Sequence, residues 1–188
     1  MKITEKEKSK LNRILSKSVN GIDNVCAFEG LIAAAICSID IKHLSSIVAD
    51  IFGDQVWDSE DDFQFFVATH AKINNKTARK LQSNIYRPMF AKTKQELQQY
   101  ALGFINTYNE ALADDIKIAG FTIDVVARPD EYTAHPSEQV LVYINEVKAK
   151  PLSCLSNAVQ NLNDYRLSLL TESSNYGNPP NMNNSTFH

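Results

Sequence analysis

The run from Phe28 to Cys37, Phe-Glu-Gly-Leu-Ile-Ala-Ala-Ala-Ile-Cys, is the most apolar stretch of the chain and limits the fold more than any other. Val25, Phe28, Leu31, Ile32, Ala35 and Ile36 recur at three- and four-residue spacing, the period of a buried helical face. Ala27, Gly30, Ala33 and Ala34 fill the neighbouring faces with so little bulk that other helices can approach from more than one side. A helix that is apolar nearly all round belongs in the interior of a bundle. Asp23 or Asn24 stands where a cap is needed. Gly30 costs up to about 1 kcal/mol relative to alanine inside a helix, so a close helix crossing is expected at that point. The one acid of the run, Glu29, is expected at the helix rim in solvent, because carboxylates are rarely fully buried unless paired. A buried functional acid is the alternative.

A length of 188 residues fits one domain with a substantial core. The expected architecture is all-α: a single-domain bundle of about seven helices around the central apolar helix at 24–37, with residues 1–171 forming the domain and 172–188 a flexible tail. The tail is rich in Asn, Ser, Pro and Gly and has little to bury. The longest wholly apolar run, Leu31 to Cys37, is too short to span a bilayer. No secretory pattern opens the chain, so a cytoplasmic location is expected. Cys26, Cys37 and Cys154 are odd in number and lie among apolar residues, the pattern of reduced, buried thiols.

Around the central stretch, residues 4–19 read as a basic amphipathic helix carrying Lys6, Lys8, Lys10, Arg13 and Lys17. Ile41, Leu44, Ile47, Val48 and Ile51 make the face of a third helix that Ser38 or Asp40 caps, with His43 on it. Trp57 folds back beside Phe52. Asp58 or Ser59 then caps a long helix whose first turn holds Glu60, Asp61 and Asp62, where the helix dipole favours negative charge. His70 lies on or beside its inner face as a hydrogen-bonded core histidine. Pro88 breaks the chain at 84–90. Thr93-Lys94-Gln95-Glu96 is a capping box, opening a helix with Leu97, Tyr100, Ala101, Phe104, Ile105, Tyr108 and Leu112 inward. Residues 116–136 are β-branched enough to suggest a strand, but a lone strand lacks a partner, so helix or irregular chain is favoured, with a turn at 128–131. Pro136-Ser137 opens a helix through Lys148, and Pro151 suits the first turn of the last one.

Several of these segments resemble the bacterial YecA/YgfB-like family. The Phe28-Glu29-Gly30-Leu31-Ile32-Ala33-Ala34 opening, Ile51-Phe52-Gly53, the stretch from Asp58-Ser59-Glu60 through His70 to Asn74-Asn75, and the Tyr86-Arg87-Pro88-Met89-Phe90 break follow in the family's order. Tyr100-Ala101-Leu102-Gly103-Phe104 resembles its aromatic-x-x-Gly-Phe motif, with Tyr100 in place of the usual tryptophan. The likeness covers roughly residues 20–115, with a weaker echo at 152–166. It implies an all-α fold in which Gly30 and Gly103 are close-packing glycines and Pro88 a helix breaker. Many family members end in a cysteine-rich zinc motif, whereas no cysteine follows Cys154 here.

The sequence contains no Gly-rich phosphate loop, Gly-x-Ser-x-Gly elbow or His-Glu-x-x-His. The histidines are scattered, and the acids at 58–62 lack EF-hand spacing. No catalytic, cofactor-binding or metal-ligating residue is assigned, and no cofactor is expected. The reading is a non-catalytic, cytoplasmic protein-binding or regulatory module that engages another protein through a groove between helices or through its tail. No membrane or nucleic-acid partner is expected, given a net charge of −3, and a homodimer is compatible with the many apolar faces. The alternatives are an enzyme with a dispersed site near Glu29, His70 or Tyr100, or nucleic-acid contact through Lys6, Lys10, Arg13 and Lys17.

Overall fold

The computed structural model describes residues 3–40, 42–54, 57–108, 114 and 116–175. Among these residues the chain is all-helical, with eight helices: α1 (Glu5–Leu15), α2 (Val25–Cys37), α3 (Leu44–Phe52), α4 (Glu60–Gln82), α5 (Lys94–Ile105), α6 (Lys117–Ala127), α7 (Glu138–Ala149) and α8 (Pro151–Asn175). The all-α bundle stands, with one helix more than the expected seven. The additional helix is α6, in the region where helix and strand signals competed. Ala119, Thr122, Ile123, Val125, Val126 and Ala127 are its buried positions. They form a helical face that packs against α5 and α8, and this packing outweighs the strand preference of the branched residues.

The central helix is α2. It packs most extensively against α5 and also against α1, α4 and α8, and only Ala35 and Ile36 of its thirteen residues escape full burial. Asn24 caps it, accepting from the amides of Cys26 and Ala27, each at 3.0 Å. The α2–α5 crossing is closed by reciprocal glycines. A Cβ at Gly30 would lie 2.0 Å from the Tyr100 carbonyl oxygen, and one at Gly103 would lie 2.0 Å from that of Ala27. The two backbones therefore touch where the sequence carries glycine on each side. The close crossing expected at Gly30 is present.

Elsewhere, short polar side chains set the helix starts. Thr93 and Glu96 form the reciprocal capping box on α5, and Thr4 and Glu7 form a second one on α1. Ser59 caps α4 and Ser137 caps α7. α3 departs from expectation: it starts after His43, which occupies the cap position without a side-chain hydrogen bond, so neither Ser38 nor Asp40 serves. Trp57 packs edge-on against Phe52 at 4.8 Å between ring centroids, and against Phe63 and Phe66. α8 continues to Asn175, so residues 172–175 are helical rather than part of the tail. α5 ends at Ile105, short of the expected Tyr108, and Ile41 and Leu112, like residues 176–188, lie outside the described part of the chain. No helix is long and apolar enough to cross a membrane among the described residues.

Candidate functional site

Glu29 is not at the helix rim. Its exposure is 0 %, and its carboxylate accepts from the backbone amides of Met89 at 2.6 Å and Phe90 at 3.0 Å. The expectation of a solvated acid fails because the partners are main-chain groups of a segment sixty residues away, which the local sequence does not reveal. Burial pushes the Glu29 pKa up to about 7, against the opposing effect of these two amide donors and of the charges on Lys80 and Lys92.

The segment that Glu29 holds is the break between α4 and α5, and its backbone is satisfied by main-chain bonds where α4 ends and by charged side chains beyond. α4 ends in a Schellman turn. Asn84 adopts the left-handed conformation (φ 53°), its amide bonds to the Leu81 carbonyl, and the Ile85 amide bonds to the Lys80 carbonyl, the pairing that this motif requires. Lys80 Nζ donates to the Arg87 carbonyl at 2.5 Å, and Lys92 Nζ donates to the Pro88 carbonyl at 3.2 Å. An irregular buried segment needs such partners, because an unpaired backbone group away from water costs about as much as a lost hydrogen bond. Partial burial lowers the Lys80 pKa, and the Glu29 charge opposes that shift. Beneath this segment the Tyr86 and Tyr100 hydroxyls hydrogen-bond to each other. Burial raises both phenols well above their ordinary range, with the nearby Glu29 charge adding to the effect.

The residues of the dispersed-site alternative come together only in part. Glu29 and Tyr100 are close enough to influence each other's ionisation. His70 instead packs against Phe28, at 6.1 Å between ring centroids. It is not the hydrogen-bonded core histidine expected, since its Nε2 is buried without a partner among the described residues. Desolvation lowers its pKa.

Much of the basic charge of α1 and the turn after it is met by acids at or just before the start of α4. Asp62 is buried between Lys10 at 3.1 Å and Arg13 at 2.8 Å, and Lys17 pairs with Asp58. Of the three acids read as dipole partners of α4, Asp62 therefore also ties it to α1. Lys72 adds a second tie, to Glu7 at 2.7 Å. Among the described residues, no group of three His, Cys, Asp or Glu side chains is arranged to hold a metal ion.

Concavity and charge coincide elsewhere. A cleft of about 530 Å³ opens between the 84–97 segment and the α7–α8 junction. Its walls carry Arg87, Lys92, Lys94 and Lys150, and among the described residues no carboxylate lines it. Lys150 lies at the end of α7, and its carbonyl accepts from the Cys154 amide at the start of α8. That chain reversal brings the first turn of α8 to the cleft beside the first residue of α5. Tyr86 lines the cleft, while neither Glu29 nor Tyr100 does. The sequence offered no signal for this site, because its cations come from positions with no shared periodicity. No family model matches the chain, and neither the curated proteins nor the solved structures include a significant match.

Proposed function

We propose that the chain is a cytoplasmic, non-catalytic protein-binding module of the YecA/YgfB-like type. The observation that carries this reading is how the motif residues behind the resemblance are used. Gly30 and Gly103 permit the α2–α5 contact. Glu29 is taken up by two backbone amides, and Tyr86 and Tyr100 by each other. Such residues define a rigid scaffold, and the chemistry left at the surface is charge and shape, which serve recognition. The test is affinity purification of the full chain at gentle salt, followed by reconstitution of any recovered partner from purified components. A stoichiometric complex is the expected result. The absence of any partner that both recurs and reconstitutes would overturn the reading.

A further inference from the structure

We infer that the cleft between the 84–97 segment and the α7–α8 junction docks an extended acidic peptide segment of the partner, one that also carries apolar side chains. The inference rests on the binding-module reading above and names the chemistry of what is bound.

Charge complementarity is the first ground. Among the described residues, Arg87, Lys92 and Lys94 have no ion-pair partner, and Lys150 has only a long contact of 3.8 Å with the exposed Glu146. The other cations of the fold are largely consumed: Lys8, Lys10, Arg13, Lys17, Lys72, Lys117 and Arg128 are all paired with acids. A chain with net charge −3 thus keeps a local positive hollow, and such a concavity concentrates anions. The first turn of α8 adds to it, since Pro151, Leu152 and Ser153 line the cleft at the positive end of that helix.

Shape and polarity select a peptide among anions. A second hollow of about 200 Å³ shares Lys94 and Pro151 with the first, so the depression runs on across α7 and suits an extended ligand. Its far end carries Asp130, which limits the acidic register to the cleft proper. Ile85 is 71 % exposed at the cleft wall, an apolar contact set beside the cations. Ser153 and Asn157 offer polar groups from α8. A single-stranded nucleic acid would want aromatic platforms on which bases stack. Among the described residues the one aromatic ring of the wall, Tyr86, is only 4 % exposed.

The test is fluorescence anisotropy of the full chain with a labelled peptide in which glutamate alternates with leucine. A peptide with lysine for glutamate and a single-stranded RNA oligonucleotide serve as comparisons. Arg87→Glu with Lys94→Glu is expected to weaken acidic-peptide binding at least tenfold, about 1.4 kcal/mol. Both side chains are exposed, so the fold is retained, as circular dichroism checks; Arg87→Gln with Lys94→Gln gives a milder loss in the same direction. Lys6→Glu, on α1 and outside the cleft lining, leaves binding unchanged. Raising salt from about 0.01 M to about 0.15 M shortens the screening length from roughly 30 Å to roughly 8 Å and weakens the complex. Equal affinity for the lysine peptide, tighter binding of RNA, or no effect of the charge reversals would overturn the inference. The two levels separate through the reconstituted partner. If the charge-reversed chain still binds it as the native chain does, the cleft assignment falls and the module stands. If the native chain binds none, the module reading itself falls.

Discussion

Replacing Gly30 with alanine should test the α2–α5 contact most directly. In an ordinary exposed helix this change is favourable by up to about 1 kcal/mol. Here the added Cβ would sit 2.0 Å from the Tyr100 carbonyl oxygen, 2.9 Å from its carbonyl carbon and 3.0 Å from the Phe104 amide nitrogen. All three are backbone atoms of a packed helix, so no side-chain rotation relieves the clash. The helices must separate by at least about 1 Å, and gaps of that size forfeit roughly a quarter to a half of each dispersion contact they open. Overpacking of this kind costs typically about 1–3 kcal/mol, and more where the structure cannot yield. With the propensity gain subtracted, a net loss of about 2 kcal/mol is expected, or a fall in Tm of roughly 4–8 °C for a chain of this size. Gly103→Ala meets the Ala27 backbone in the same way and should cost a similar amount. The separation that admits one Cβ also makes room for the other, so the double variant should lose at least about 1 kcal/mol less than the sum of the single losses. Urea unfolding followed by far-UV circular dichroism, with an unchanged slope, measures all three. A neutral or stabilising Gly30→Ala, or strict additivity in the double variant, would refute the contact.

Glu29 provides a pH prediction. Its folded pKa of about 7 lies above the ordinary 4.5, so the native state binds the extra proton between those values and the contribution of this group to stability falls as pH rises from about 4.5 to about 7; carboxyl-carbon NMR should show a Glu29 midpoint near neutrality, and one near 4.5 would contradict the burial argument. Tyr86→Phe strands the Tyr100 hydroxyl and should cost about 1–3 kcal/mol, while removing both hydroxyls should cost less than the two single losses combined; denaturant melts of the three variants decide it. Asn24→Ala removes the acceptor of two α2 amides and should destabilise by about 0.5–2 kcal/mol, read from the same melts. Thiol labelling should reach Cys154, which is half-buried, before the buried Cys26 and Cys37, and the reverse order would place α2 differently from its interior position.

The close crossing at Gly30 was legible because a glycine inside a helix carries a cost that some feature must offset, whereas the matching role of Gly103 came only from the resemblance. The capping box at Thr93 and the burial of the Phe28–Cys37 run were legible for the same kind of local reason: the pattern and the physics occupy the same few residues. The Thr4–Glu7 box had an equally readable pattern and was missed. Glu29 was misread because its stabilising partners are the amides of Met89 and Phe90, and a backbone donor leaves no mark in the one-letter sequence. α6 was ambiguous because Ile118, Ile123, Val125 and Val126 serve strand and helix equally well until α5 and α8 supply a surface with helical spacing. The charges on α1 were legible as a stripe, but their neutralisation by Asp58 and Asp62 required knowing that α4 lies alongside.

The cleft and the core are joined through one acid. Glu29 holds Met89 and Phe90 from within α2, Lys80 holds Arg87 from α4, and Lys92 reaches back to Pro88. The segment presenting Arg87 and Lys92 to the cleft is therefore fixed by side chains of the interior bundle and by its own flank. A loop fixed in this way loses little conformational entropy when a ligand arrives, and preorganisation raises affinity by reducing that cost. It also explains why a carboxylate occupies an otherwise apolar helix. An apolar residue at position 29 would leave two amide donors without partners, at about 1–3 kcal/mol each, and would free the loop that carries half of the cleft's cations. The acid in the core thus serves the positive surface above it.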